Sequence, residues 1–142
     1  KDIVILSYSS KFSSNFYSPF RDALGSKKNL GNASKSTYQI NFKNKREAIK
    51  ESLEDQYEGA DILMVKPAMY YLDIINELKK NTFCPVAAYQ VSGEYSMIKH
   101  LSDKQIFNYK DVVLESLYCI KRAGADIIFT YFAKEVAKWL KE

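Results

Sequence analysis

The sequence predicts an α/β fold in which a parallel sheet is assembled from repeated strand–helix units. Three observations lead there. Four apolar runs of β type, Ile3–Tyr8, Asp61–Lys66, Val86–Val91 and Asp126–Tyr131, are nearly continuous rather than alternating, the pattern of strands covered on both faces. Longer stretches with helical spacing separate them. The run Gly59-Ala60-Asp61-Ile62-Leu63 recurs as Gly124-Ala125-Asp126-Ile127-Ile128, so a glycine that can cap a helix stands directly before a strand in both places.

In chain order, the first strand Ile3–Tyr8 opens the sequence almost at once, as expected of a piece whose N-terminal part is missing. Residues 24–37, with Gly25, Gly31 and several Ser, Asn and Lys, carry no period and form the expected active-site lid, because a loop that follows a strand reaches the functional rim of such folds. Arg46–Tyr57 places Ile49, Leu53 and Tyr57 on one helical face and leads into the second strand, Asp61–Lys66. The helix Tyr71–Lys80 leads into Val86–Val91, the helix Tyr109–Arg122 into Asp126–Tyr131, and the helix Ala133–Lys141 closes the chain. Strands alternating with helices make right-handed βαβ units. No G-x-G-x-x-G follows a strand, which disfavours a dinucleotide-binding sheet. Four βα units are half of a (β/α)8 barrel.

Composition narrows the function classes. The 142 residues amount to about one domain. The net charge of +4 comes almost wholly from lysine, with arginine only at positions 21, 46 and 122, and no basic cluster is interleaved with stacking aromatics; nucleic-acid binding is therefore not expected. Cys84, Cys119 and the single His100 form no metal-ligand spacing. No apolar run reaches the length of a membrane span. Two thiols with no secretory segment suit a reducing compartment, so a soluble intracellular protein of cytoplasm or plastid is expected.

Chemistry concentrates at Lys66, which ends the apolar run Ile62-Leu63-Met64-Val65 and precedes Pro67. Burial disfavours an ammonium, and a neutral lysine amine forms Schiff bases with carbonyl substrates. Lys11 follows the first strand. If the first two strands are neighbours, about 4.8 Å apart, the two lysines share one edge and each disfavours the charge of the other. Tyr89, Ser92 and Tyr131 fall at the ends of the third and fourth strands, where hydroxyls could hold a small polar ligand; Arg21 and Lys35 could hold carboxylates.

These residues resemble a known family. Ser7-Tyr8-Ser9-Ser10-Lys11-Phe12, Phe16-Tyr17-Ser18-Pro19-Phe20-Arg21-Asp22-Ala23, Met64-Val65-Lys66-Pro67-Ala68, Tyr89-Gln90-Val91-Ser92-Gly93-Glu94-Tyr95 and Arg122-Ala123-Gly124-Ala125-Asp126 closely resemble porphobilinogen synthase, also called 5-aminolevulinate dehydratase. The resemblance runs in order over essentially the whole chain and implies that residues 1–142 are the C-terminal part, about the last four βα units, of a single (β/α)8 (TIM) barrel catalytic domain. It further implies a lyase that condenses two molecules of 5-aminolevulinate to porphobilinogen in tetrapyrrole (haem) biosynthesis, within a homo-octamer. Lys66 matches the lysine that binds the propionate-side substrate as a Schiff base, and Lys11 the lysine that binds the acetate-side substrate. Ser92 and Tyr131 match the groups on the first substrate's carboxylate; Arg21, Lys35 and Gln39 match those around the second's. Lys35 stands where many members have arginine, which keeps the charge and loses the bidentate fork. Tyr89 matches a tyrosine packed beside the Schiff-base lysine.

The resemblance also implies a divalent metal. The family's active-site ligands, whether for zinc or magnesium, lie upstream of residue 1, so the choice is not legible in this sequence. Glu51 matches the glutamate that anchors an allosteric magnesium. Two other readings fit the residues alone: another Schiff-base lysine aldolase or dehydratase, and a non-catalytic half-barrel that needs a partner.

Overall fold

The structure is a computed structural model and describes residues 3–25 and 38–141. Five strands form one parallel sheet in the order β2-β1-β3-β4-β5. The strands are β1 (Leu6–Ser13), β2 (Ile40–Asn41), β3 (Ile62–Lys66), β4 (Val86–Tyr89) and β5 (Ile127–Phe129). A 3-10 turn (Asn15–Tyr17) and the short helix α1 (Ser18–Ala23) follow β1; α2 (Lys45–Tyr57), α3 (Leu72–Asn81), α4 (Ser92–Asp103), α5 (Tyr109–Ala123) and α6 (Ala133–Trp139) complete the described elements.

The core lies between β3 and β4 and the helices packed on them. Leu63, Val65, Val86 and Ala88 are fully buried against Ile75 and Leu78 of α3 and Val113 and Ile120 of α5. Each large aliphatic side chain buried there contributes roughly 1.5–3 kcal/mol. The helices begin and end where side chains allow. Asn44 and Asn108 accept the backbone N–H of Glu47 and Asp111 (3.2 Å each) as N-caps. Gly59 (φ 106°) and Gly124 (φ 121°) take the positive-φ position after α2 and α5.

The sequence echo around those glycines is a structural echo too. Asp61 accepts the N–H of Ile5 and Asp126 that of Val86, each at 2.8 Å, while the N–H of each aspartate bonds back to the carbonyl of the same residue. One short turn thus ties a new strand to its neighbour twice. Lys79 reinforces the second copy at 2.7 Å, and its hydrogen bond holds the Asp126 carboxyl below the usual range.

Three expectations change. The first strand is Leu6–Ser13 rather than Ile3–Tyr8; Ile3, Val4 and Ile5 are exposed, and the strand runs on through serines whose hydroxyls are satisfied, Ser10 bonding Ala48 O (3.1 Å) and Ser52 Oγ (2.8 Å) of α2. Lys11 therefore lies within β1, not after it. Tyr57 points away from the sheet, 94% exposed, because α2 approaches β1 through the small residues Ala48 and Ser52 instead. Ser92 opens α4 rather than ending a strand. Neither α4 nor the two-residue β2 was expected from the apolar pattern. The expected lid, residues 24–37, lies outside the described residues from Ser26 onward, and Lys35 with it.

Candidate active site

At the C-terminal edge of the sheet, Lys11 and Lys66 are direct partners in the β1–β3 register. Reaching that register requires an irregularity. From Ser7 to Ser10 β1 advances three residues, while β3 advances two, from Leu63 to Val65. In a regular strand, residues three apart point to opposite faces; the extra residue brings Tyr8 and Lys11 to the same face. Both amines then approach the Tyr8 ring, Lys11 Nζ at 5.7 Å and Lys66 Nζ at 4.9 Å from its centroid.

Lys66 Nζ also stands 3.8 Å from the centroid of Tyr89 and 5.9 Å from that of Tyr17. Three aromatic rings surround the amine, and a cation among them gains from their π faces. Burial nevertheless dominates: it lowers the Lys66 pKa from 10.5 to about 8, with the charge of Lys11 acting in the same direction. That shift raises the neutral, nucleophilic fraction near neutral pH by roughly two orders of magnitude over an ordinary lysine.

The surrounding groups are fixed by short bonds. The Tyr17 hydroxyl donates to Lys66 O at 3.1 Å, and burial, with the nearby Tyr71 and Glu94, pushes its pKa well up. Tyr89 and Tyr131 share a hydrogen bond between side chains; burial first, then Tyr131, raises the Tyr89 pKa. Ser92 is buried, its hydroxyl accepting the N–H of Phe20 at 3.2 Å and donating to Phe16 O at 3.5 Å. Gly93 makes this approach possible, since a Cβ there would lie 2.5 Å from Phe16 O. Arg21 lies over the Tyr17 ring, 5.3 Å from its centroid.

Of the residues expected from sequence, Lys11, Lys66, Tyr89 and Tyr131 therefore gather at one rim, and Arg21 and Ser92 reach it through Tyr17 and the Phe16–Phe20 backbone. Gln39 and Glu51 line a cavity of about 440 Å³ along β1 whose wall also includes Tyr8 and Lys11. Gln39 Oε1 is buried there without a hydrogen-bond partner; Glu51 is exposed on α2. The sequence reading singled out neither Tyr8, Tyr17 nor Glu94. The only signal for the two tyrosines was their place beside Lys11 in the serine- and aromatic-rich stretch, where β propensity is masked by polarity.

The arrangement can form an imine: a partly neutral amine in an aromatic pocket, next to a second amine, with hydroxyls on the same rim. Comparisons with known proteins bear on the family of the whole chain. The family model described as delta-aminolevulinic acid dehydratase matches residues 1–139. The Helicobacter pylori delta-aminolevulinic acid dehydratase is 51% identical over 96% of this chain and 42% of its own length, and that of Escherichia coli is 55% identical over 97% and 42%. The chloroplastic enzyme of Spinacia oleracea is 54% identical over 98% of this chain and 32% of its own. The chain thus spans about a third to two fifths of the curated relatives it matches. The crystal structure of the Toxoplasma gondii delta-aminolevulinic acid dehydratase (porphobilinogen synthase), in complex with the reaction product porphobilinogen, superimposes with a TM-score of 0.93 at 50% identity, over 97% of this chain and 39% of that one. With parallel βα units in this order and a family match over nearly its full length, the chain is part of a (β/α)8 barrel and belongs to the delta-aminolevulinic acid dehydratase family.

Proposed function

We propose that the protein carrying this chain is a porphobilinogen synthase that condenses two molecules of 5-aminolevulinate to porphobilinogen with loss of two waters. The observation that carries the reading is the pairing of Lys11 and Lys66 in register at one strand edge, with the Lys66 pKa lowered to about 8. In this reading the neutral Lys66 amine attacks the ketone carbon of the first substrate. A carbinolamine forms, water leaves, and the protonated imine draws electrons from the adjacent carbons. Tyr8, Tyr17 and Tyr89 surround that cation with ring faces. Ser92 and Tyr131 receive the first substrate's carboxylate. Lys11 forms the second imine, and Arg21, Lys35 and Gln39 receive the second carboxylate. Holding both substrates on one rim makes the condensation nearly intramolecular, worth up to about 7–11 kcal/mol in favourable cases. Segment 24–37 acts as the lid that keeps water from the imines.

Among the described residues, no three His, Cys, Asp or Glu side chains converge as metal ligands. Glu51 suits a different, outer metal. It shares a cavity wall with Glu47 and Asp55; Asp55 receives Ser7 Oγ at 2.6 Å and Glu47 receives Asn44 Nδ2 at 2.7 Å. A magnesium that keeps most of its waters needs one carboxylate, and there it would supply charge to the assembly of the proposed homo-octamer rather than to bond making.

The 142-residue chain by itself is expected to be inactive and to associate. Ile127 and Phe129 of β5 are exposed, and Leu114, Leu117, Tyr118, Ile128, Val136 and Leu140 line an apolar groove of about 320 Å³ beside it, surface of the kind that remaining barrel units would cover. No helix among the described residues is long and apolar enough to cross a membrane.

Borohydride reduction of the complete protein with 5-aminolevulinate tests the reading. Label on Lys66, with porphobilinogen formed in the unreduced protein, is expected; label that avoids Lys66 would refute it.

A further inference from the structure

One buried ionisable group has no part in the steps above. Glu94, in the first turn of α4, has no exposed surface. Its Oε2 accepts the N–H of Val91 at 2.7 Å and that of Ala68 at 3.4 Å, and its Oε1 accepts the N–H of Met69 at 2.6 Å; the Tyr70 N–H also bonds to it. Burial raises its pKa, and these four backbone donors work against that rise.

The geometry of those donors is the point. Val91 N–H belongs to the start of α4, an ordinary self-capping contact for a glutamate in this position. The other three belong to residues 68–70, the backbone that leaves Lys66. A capping carboxylate that served only its own helix would need the first contact and not the other three. Instead one side chain joins the turn after the Schiff-base lysine to the turn that begins with Ser92. A buried carboxylate held by four N–H groups is stiff, because every displacement of one turn against the other leaves a buried polar group unpaired.

Building on the proposed Schiff-base function, we infer that Glu94 is a positioning residue, which sets the separation between the Lys66 amine and the Ser92 hydroxyl and so selects a ketone that carries a carboxylate at the right distance. Its loss then penalises a substrate that must touch both ends more than one that touches only the amine.

The test uses the complete protein and two ketones, 5-aminolevulinate and 1-aminobutan-2-one, which has the same amino ketone without the carboxyl group. Glu94→Gln keeps the shape and replaces one acceptor with a donor. Its borohydride trapping at Lys66 is expected to slow by about 10- to 100-fold with 5-aminolevulinate, the scale of an ångström-size misplacement, and by less than about twofold with the truncated ketone. Equal slowing with both ketones would make Glu94 merely structural and overturn the inference, as would no slowing with either. Absence of trapping in the unaltered protein would instead overturn the assignment of Lys66 itself. Should Glu94→Gln fail to fold, amide hydrogen exchange in the unaltered protein decides. Ala68, Met69, Tyr70 and Val91 N–H groups as protected as those of β3 and β4 support the clamp; exchange at the rate of exposed loops refutes it.

Discussion

The two central strands differ sharply from the strands outside them. Leu63, Val65, Val86, Ala87 and Ala88 of β3 and β4 have no exposed surface, whereas Ile127 of β5 is 36% exposed and Ile3, just before β1, is 76% exposed. Both regions are rich in aliphatic residues, so the difference is one of neighbours rather than of composition. It suits the place of the proposed chemistry. Lys66 ends a central strand, and the desolvation that frees its amine comes from packing on both sides. Lys11, its register partner, lies on β1, whose far side is paired, among the described residues, by the two residues of β2.

The largest break in this contrast is removal of the central amine. Lys66→Ala in the complete protein should bring porphobilinogen formation to background and abolish borohydride trapping at this position, because no neighbouring group replaces a covalent amine. Turnover within about tenfold of the unaltered enzyme, a loss no larger than 1.4 kcal/mol in the barrier, would show that the buried strand end is scaffold.

Packing gives the next effect. Leu63→Ala on β3 should destabilise by about 2–5 kcal/mol, since it leaves a cavity in a closed core. Ile127→Ala on β5 probes the other region. If the exposure of β5 persists in the complete protein, that substitution should cost less than about 1 kcal/mol; if the rest of the barrel covers it, the two values should converge towards the core range. Denaturant unfolding of both variants measures the contrast directly and says whether the open flank is closed in the complete protein.

How far the sequence foretold these regions follows the same division. β3, β4, α3 and α5 were legible to within a residue or two because a continuous apolar run or a 3.6-residue period has one cheap solution. The glycine–aspartate echo was legible because positive φ selects glycine. β1 was misplaced because Ser9 and Ser10 are buried, and the Ser10 hydroxyl is satisfied by another helix, a fact invisible before that helix is docked. The start of α4 at Ser92 was hidden for a related reason: its first turn is held by Gly93 pressed on Phe16 and by Glu94 reaching residues 68–70, both long-range contacts. The lysine pair was legible once two strands were taken as neighbours. The approach of both to the Tyr8 ring was not, because it depends on one extra residue in the register.

A third prediction sharpens the coupling between edge and centre. The charge of Lys11 is the second cause, after burial, of the lowered Lys66 pKa. Lys11→Met removes that charge, so the pH at which Lys66 becomes trappable should move upward from about 8 while staying below the 10.5 of an exposed lysine, because burial remains. Trapping at pH 7 should slow accordingly. The unaltered protein carries the matching stability signature: its folded form gives up the Lys66 proton first, so this residue makes stability rise with pH between about 8 and 10.5. A trapping midpoint that does not move, or moves down, would mean that the two amines do not sense each other.

The smallest effect belongs to the outermost residue. Glu51 is exposed on α2, in the cavity along β1. Glu51→Ala should leave trapping at Lys66 within about twofold, since a solvated helix carboxylate is worth little to the fold. Its effect should fall on magnesium: higher concentrations for half-activation, and a smaller assembly in a sizing experiment at limiting magnesium. The comparison is informative because the same cavity reaches Lys11. If the variant lowers trapping at Lys11 while the magnesium response is unchanged, Glu51 acts on the edge amine through its charge. If activation curves and assembly size both superimpose on those of the unaltered protein and both lysines trap normally, it is a surface residue and the outer magnesium belongs elsewhere.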